Sequence, residues 1–127
     1  MAKITRPASR NLTLIEGDIV GTVQFRTTSQ GPQVSFDVRA DALDRSGIVR
    51  AVVTPVVYPV GDTDPWNEGS LPSEGERVLV VGATRRRFFR SGGATVSRTE
   101  VEAHTVLLGP DRRRAKVLRD AVGWVGS

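Results

Sequence analysis

The sequence predicts an all-β domain whose strands, about five of them, wrap into a small closed or partly closed barrel. Three observations carry that expectation. Apolar residues recur at every second position through much of the chain before residue 110, the period of half-buried strands. Clusters of Gly, Pro, Asn and Ser punctuate those runs and mark turns. The chain has 127 residues and no cysteine, enough for one ordinary core, held by burial and not by disulfides.

The strands follow in order. "NLTLIEGDI" alternates Leu12 and Leu14 against Thr13 and is expected to bend or bulge at Gly17. "GTVQFRTT" places Val23 and Phe25 on one face and Gln24 and Arg26 on the other, and "SQGP" supplies a turn. "QVSFDVRA" is the clearest alternation: Val34, Phe36, Val38 and Ala40 point one way, Ser35, Asp37 and Arg39 the other. "GIVRAVVTPVVYPV" reads as a third long strand, with Pro55 and Pro59 placing it near an edge or making its end irregular. "GDTDPWNEGSLPSEGE" holds at best one short helical turn, capped by Asp64 and started by Pro65, with Trp66 as a loop anchor. "RVLVVGATRRRFFR" and "ATVSRTEVEAHTVLL" flank Ser91, Gly92 and Gly93 as the arms of a hairpin.

After residue 109 the character changes. In "GPDRRRAKVLRDAVGWVGS", Pro110 suits a first helical position and Ala115, Leu118 and Val122 share one helical face. A short helix or a flexible basic tail both fit. Residues 1–109 are therefore expected to form the folded domain and 110–127 an appendage. No run reaches the length of a membrane span and the N-terminus lacks the apolar centre of a signal peptide, so a cytoplasmic protein is expected.

The net charge is +4, but its distribution is uneven. Between Arg85 and Arg119 ten Lys and Arg face three acids, Glu100, Glu102 and Asp111. That stretch sums to +7 and the remainder to −3. A localised positive field fits a polyanion, because neutralising phosphates releases condensed counterions. At the centre of that charge stands "RRRFFRSGG", with two of the chain's seven Phe, Trp and Tyr residues. Strand alternation sends Arg85, Arg87 and Phe89 one way and Arg86, Phe88 and Arg90 the other. One ring is then expected to fill the barrel and the other to stand exposed among guanidinium groups, a mixture suited to single-stranded nucleic acid.

These segments, over roughly residues 10 to 109, resemble the OB-fold family of bacterial single-stranded-DNA-binding proteins. Asn11 followed by Gly17 is similar to the family's first strand, and "VQFRTTSQGPQVSFDVRA" to its next hairpin. Gly75, Gly82, Arg85, Arg87, Phe89, Thr99, Glu100 and Val101 occupy the places of its most recognisable block. The resemblance implies a five-stranded OB-fold barrel with long hairpins. It also implies sequence-tolerant binding of single-stranded DNA in replication, recombination or repair, and assembly into a homo-oligomer, a tetramer or a dimer. It assigns the stacking role to Phe89, a second aromatic position to Phe25, a less clean one to Tyr58, and phosphate contacts to Arg85 and Arg87. Arg26, Arg39, Arg86, Arg90 and Arg98 complete the candidate contacts.

The family's helix between the third and fourth strands is replaced by the loop around Trp66, and its middle-strand tryptophans are missing. The last eighteen residues are basic where the family has an acidic tip, so recruitment of partners by the usual route is not expected. No P-loop, dinucleotide fingerprint or HExxH is present, and no cofactor or metal is expected. His104 reads as a structural histidine. Glu100 and Glu102 share a face without a nucleophile beside them, which favours pairing with arginine over acid/base work. The chain is therefore expected not to be an enzyme. The alternative reading is an OB-fold adaptor for protein or RNA, and a weaker one a small nuclease on the same barrel.

Overall fold

The structure, a computed structural model, describes residues 9–126. Its strands are β1 (Thr13–Thr28), β2 (Gly31–Leu43), β3 (Val49–Pro59), β4 (Arg77–Ser91) and β5 (Ala94–Leu108), followed by the helix α1 (Arg114–Val125). The sheet runs β1-β2-β3-β5-β4 and closes through the β1–β4 pairing. Every contact is antiparallel except a short parallel one, where Val56 and Val57 of β3 meet Val101 and Glu102 of β5. This is the five-stranded closed barrel of the OB-fold.

Period-two patterning builds the core as expected. Val34, Phe36 and Val38 of β2 are buried with Ile19, Val56, Val78, Val80, Val101 and Ala103, while Gln33, Ser35 and Asp37 face outward. Trp66 joins this core, edge-on to Phe36 at 6.3 Å and to Tyr58 at 5.4 Å between ring centroids, so it anchors its loop. Asp64 does not cap a helix: it accepts hydrogen bonds from the Tyr58 hydroxyl at 2.8 Å and the Gly61 amide at 2.7 Å. The loop is pinned instead by the Asn67–Ser70 bridge.

The bulge expected at Gly17 lies elsewhere. The β1–β2 register shifts between Val20 and Gln24, around Gly21 at φ 75°. Two extra residues of β1 are absorbed there, which bends the strand and keeps Ile19, Val23 and Phe25 on the inner side. Gly17 has a different reason to be glycine: a Cβ there would stand 2.1 Å from the Arg39 carbonyl oxygen. Gly82 is equally confined, 2.1 Å from the Glu102 carbonyl oxygen. These two close approaches let β1 meet β2 and β4 meet β5 where the barrel curls.

Beyond Thr84 and Val101, β4 and β5 pair only with each other, for seven residue pairs from Arg85↔Glu100 to Ser91↔Ala94. They form a two-stranded arm, turned by Gly92 and Gly93 at φ 59° and 81°, the positive values a two-residue hairpin of type I′ requires. Asn11 fixes the root of the arm. Its amide nitrogen donates to the Thr84 carbonyl at 2.7 Å, and its side-chain oxygen accepts from the Thr84 amide at 3.2 Å and hydroxyl at 3.1 Å.

The C-terminal segment is helical. Its inward face is Val117, Leu118 and Ala121, not the expected Ala115, Leu118 and Val122: Ala121 is buried and Val122 is 71% exposed. The helix starts at Arg114, four residues after Pro110. It lies over β4 and β5, forming with Leu12, Val81 and Ala83 an open, largely apolar cleft of about 460 Å³. Arg114 ties it to Glu16 of β1 through two hydrogen bonds of 2.6 and 2.7 Å, and Arg10 donates to the Trp124 carbonyl at 3.0 Å. None of the described helices is long and apolar enough to cross a membrane.

Candidate nucleic-acid interface

One face of the arm leans toward the outer surface of the barrel and encloses a groove of about 260 Å³. Its lining comes from every strand: Gln24 and Arg26 of β1, Gln33 and Ser35 of β2, Val57 of β3, Arg87 and Phe89 of β4, and Arg98 of β5. The geometry follows from strand parity. Gln24 and Arg26 lie directly across from Ser35 and Gln33 on the outer face, while Arg87↔Arg98 and Phe89↔Val96 are cross-strand pairs on the facing side of the arm. Phe89 is 38% exposed there.

Arg87 and Arg98 are like charges directly opposite each other, an arrangement that costs stability unless an anion lies between them. Arg26 adds a third guanidinium, held by a hydrogen bond of 3.2 Å to Gln24. The amides and hydroxyl of Gln24, Gln33 and Ser35 offer both donors and acceptors. An anionic chain with flat aromatic groups matches this lining: cations for its charges, Phe89 for a ring, and neutral polar groups for edges of no fixed pattern.

The structure brings together Arg26, Arg87, Phe89 and Arg98 of the expected residues and separates the others. Arg85, expected on phosphate, is occupied as a clamp. Its guanidinium donates to Glu100 Oε1 at 3.1 and 3.2 Å and also bonds Glu102. Glu100 is fully buried, so Arg85 neutralises a charge that would otherwise be very costly to bury. The second oxygen of Glu100 has no hydrogen-bond partner among the described residues, and Arg98 stands 3.7 Å from it. Arg98 thus sits between a buried carboxylate and the groove.

Phe25 is half-buried against the core cluster and Tyr58 against Trp66. Burial, reinforced by the hydrogen bond to Asp64, pushes the Tyr58 hydroxyl up to about 12. Both rings therefore pack, and neither lines the groove. Arg39 shares the outer face of β2 but lies beyond the bulge, opposite Asp18 and Val53. Arg86 and Arg90 point away, on the reverse of the arm.

Phe88 corrects the expectation that one of the two rings would fill the barrel. It is 65% exposed, more than Phe89. Alternation separates the faces of a strand, but only a sheet with something packed on it buries one, and the arm has left the barrel. The polar lining from β2, Gln33 and Ser35, was not singled out from the sequence. The available signal was their outward parity in the alternating run, next to Gln24 and Arg26. His104 is exposed and bonds Thr105 at 2.9 Å, and among the described residues no cluster of three metal-ligating side chains is present.

Comparison with solved structures places the fold. A deletion mutant of the single-stranded DNA binding protein from Thermus aquaticus aligns over 82% of this chain with a TM-score of 0.59 and 19% identity. The chain spans about half of that protein, 52% of its length. The small single-stranded DNA-binding protein from Streptomyces coelicolor aligns over 81% of this chain and 95% of its own, at 0.56 and 23%. The single-stranded DNA-binding protein of Plasmodium falciparum, in complex with single-stranded DNA, aligns over 84% of this chain and 100% of its own, at 0.63 and 14%. The chain shares their fold. No protein-family model and no curated protein matches the sequence.

Proposed function

We propose that this chain binds single-stranded DNA, with little preference for sequence, in the groove between the barrel and the β4–β5 arm. The observation that carries the reading is the cross-strand Arg87–Arg98 pair, in which only Arg98 nears a carboxylate, that of Glu100 at 3.7 Å, beside the exposed face of Phe89 and with Arg26 across the groove. The arginines take phosphates and the ring stacks a base of any identity. That the structural neighbours are named as single-stranded-DNA-binding proteins, one of them solved with its ligand, supports the same assignment. The role is that of a binding module in replication, recombination or repair, without a catalytic step, working as a homo-oligomer.

Fluorescence anisotropy of a labelled oligo-dT at several salt concentrations tests it. Binding is expected to weaken with a log-log slope of about −0.7 per phosphate neutralised. Removing Arg87 and Arg98 together is expected to flatten that slope by about 1.4. Phe89→Ala is expected to leave the barrel folded, as Phe89 lies outside the core cluster, and to cost about 1–3 kcal/mol of binding. A slope unchanged in the double variant sinks the assignment, and tighter binding of an RNA of the same length replaces DNA as its ligand.

A further inference from the structure

The arm has a second face that the groove does not use. Arg86, Phe88 and Arg90 share it, and their cross-strand partners are Thr99, Ser97 and Thr95. No acid belongs to that face, whereas the groove side carries Glu100 and Glu102, both engaged by Arg85. Arg86 has no ion pair among the described residues. Arg90 donates to the Gly93 carbonyl at 3.3 Å, which holds it along the turn and leaves its charge uncompensated. Phe88, 65% exposed, stands between the two. Consecutive same-face residues of a strand are roughly 6.8 Å apart, so the face is an Arg-Phe-Arg ladder flanked by hydroxyls.

A large exposed ring calls for an explanation, and the chemistry around it selects one. A protein partner burying Phe88 would also bury two arginines, and would itself have to place an acid on each of them, about two residues away on either side of a pocket for the ring. A polyanion bearing flat rings satisfies all three side chains at once, the phosphates meeting Arg86 and Arg90 and a base meeting Phe88. We propose that the reverse face of the β4–β5 arm is a second subsite for single-stranded nucleic acid, occupied when a strand that fills the groove is long enough to cross the arm. This rests on the groove being the primary site. Turning at Gly92 and Gly93, the arm then carries ligand on both faces and acts as a post around which the strand passes.

Two lengths of oligo-dT separate this subsite from the groove. A short strand, cut to the minimum that binds with full salt sensitivity to Arg87 and Arg98, reads the groove alone; a strand several times longer reads both. Phe88→Ala is expected to leave the short strand's Kd within about twofold and to weaken the long strand about tenfold, the lower range of one lost stacking platform. Removing Arg86 and Arg90 together is expected to flatten the salt slope of the long strand only, by about 1.4. Thermal melting verifies that each variant is folded. Equal behaviour of Phe88→Ala and the unaltered chain toward the long strand overturns the subsite. So does a fall in the solution mass of the DNA-free protein on Phe88→Ala, which makes the ring a contact between copies. Finding no length of oligo-dT whose binding depends on Arg87 and Arg98 is a different result and removes the groove reading itself.

Discussion

Arg85 and Arg87 are two residues apart, on one face of one strand, and stand in different surroundings, one over a buried carboxylate and one in the groove. Arg85 stands over a fully buried Glu100, and its removal leaves that carboxylate with only Arg98, 3.7 Å away. Arg85→Ala is expected to destabilise the fold by about 3 kcal/mol, the low end for an orphaned buried charge because Arg98 remains nearby. Arg87→Ala is expected to cost almost no stability, or to raise it slightly by relieving its repulsion with Arg98, while weakening DNA binding. Urea denaturation of both variants, set beside their anisotropy titrations, reads the two roles apart; equal loss of stability in both contradicts the division. The sequence shows four arginines in one short stretch. It does not show that one faces a buried carboxylate fifteen residues later, because that pairing is fixed by the β4–β5 register.

At the scale of an element, α1 is helical because the barrel makes it so. Its first turn holds no acid and has no side-chain cap, and Arg113 and Arg114 set positive charge at the end where the helix dipole is already positive. Gly123 lies in its interior, a further penalty. Two anions from outside the helix offset this: Asp111 accepts the Arg113 amide at 2.8 Å and pairs with its guanidinium, and Glu16, on β1, bonds Arg114, which holds the Glu16 carboxyl below the ordinary value of 4.5. A carboxylate whose folded value is depressed contributes docking that is complete above its free value and is lost as pH falls through the lower, folded one. Protection of the α1 amides, the slowing of their exchange relative to an unstructured chain at the same pH, is therefore expected to fall below about pH 4.5, ahead of acid unfolding of the barrel. Glu16→Gln is expected to show fast exchange at neutral pH with no further acid step in this range. Since no α1 residue belongs to the core cluster, a chain ending at Gly109 is expected to fold with a lowered Tm. Loss of its cooperative melting would make the helix part of the core.

For the whole molecule, barrel closure protects most strand edges and leaves two arms outside it. One is the cationic β4–β5 arm. The other is the end of the β2–β3 hairpin, where Leu43, Ile48, Val49, Val52 and Val53 are each 46–73% exposed. Its turn is rigid: Asp44 accepts hydrogen bonds from the Ser46 amide and hydroxyl, the Ile48 amide and Arg50. Several large apolar side chains on a fixed hairpin favour contact between copies of the chain. Replacing the cross-strand pair Leu43 and Val49 with glutamates is expected to lower the solution mass, measured by sedimentation, while the isolated barrel stays folded. An unchanged mass moves any assembly surface elsewhere.

What the sequence determined by itself was local and periodic. Alternation set which residues of each strand face inward, and the glycine pair at 92 and 93 set the arm's turn, because both depend on bonds between chain neighbours. The inward positions of Val34, Phe36 and Val38 needed nothing more. Tertiary structure decided whatever depends on what lies across from a face. It buried Glu100 under Arg85 and moved the bulge from Gly17 to Gly21. It also set Phe25 and Tyr58 against the core and left both rings of the arm in solvent. It chose a helix over a flexible tail for residues 114–125. Strand parity divides side chains between two faces, but burial, charge pairing and access require a second element brought close by the register and closure of the barrel, and those are properties of the whole chain.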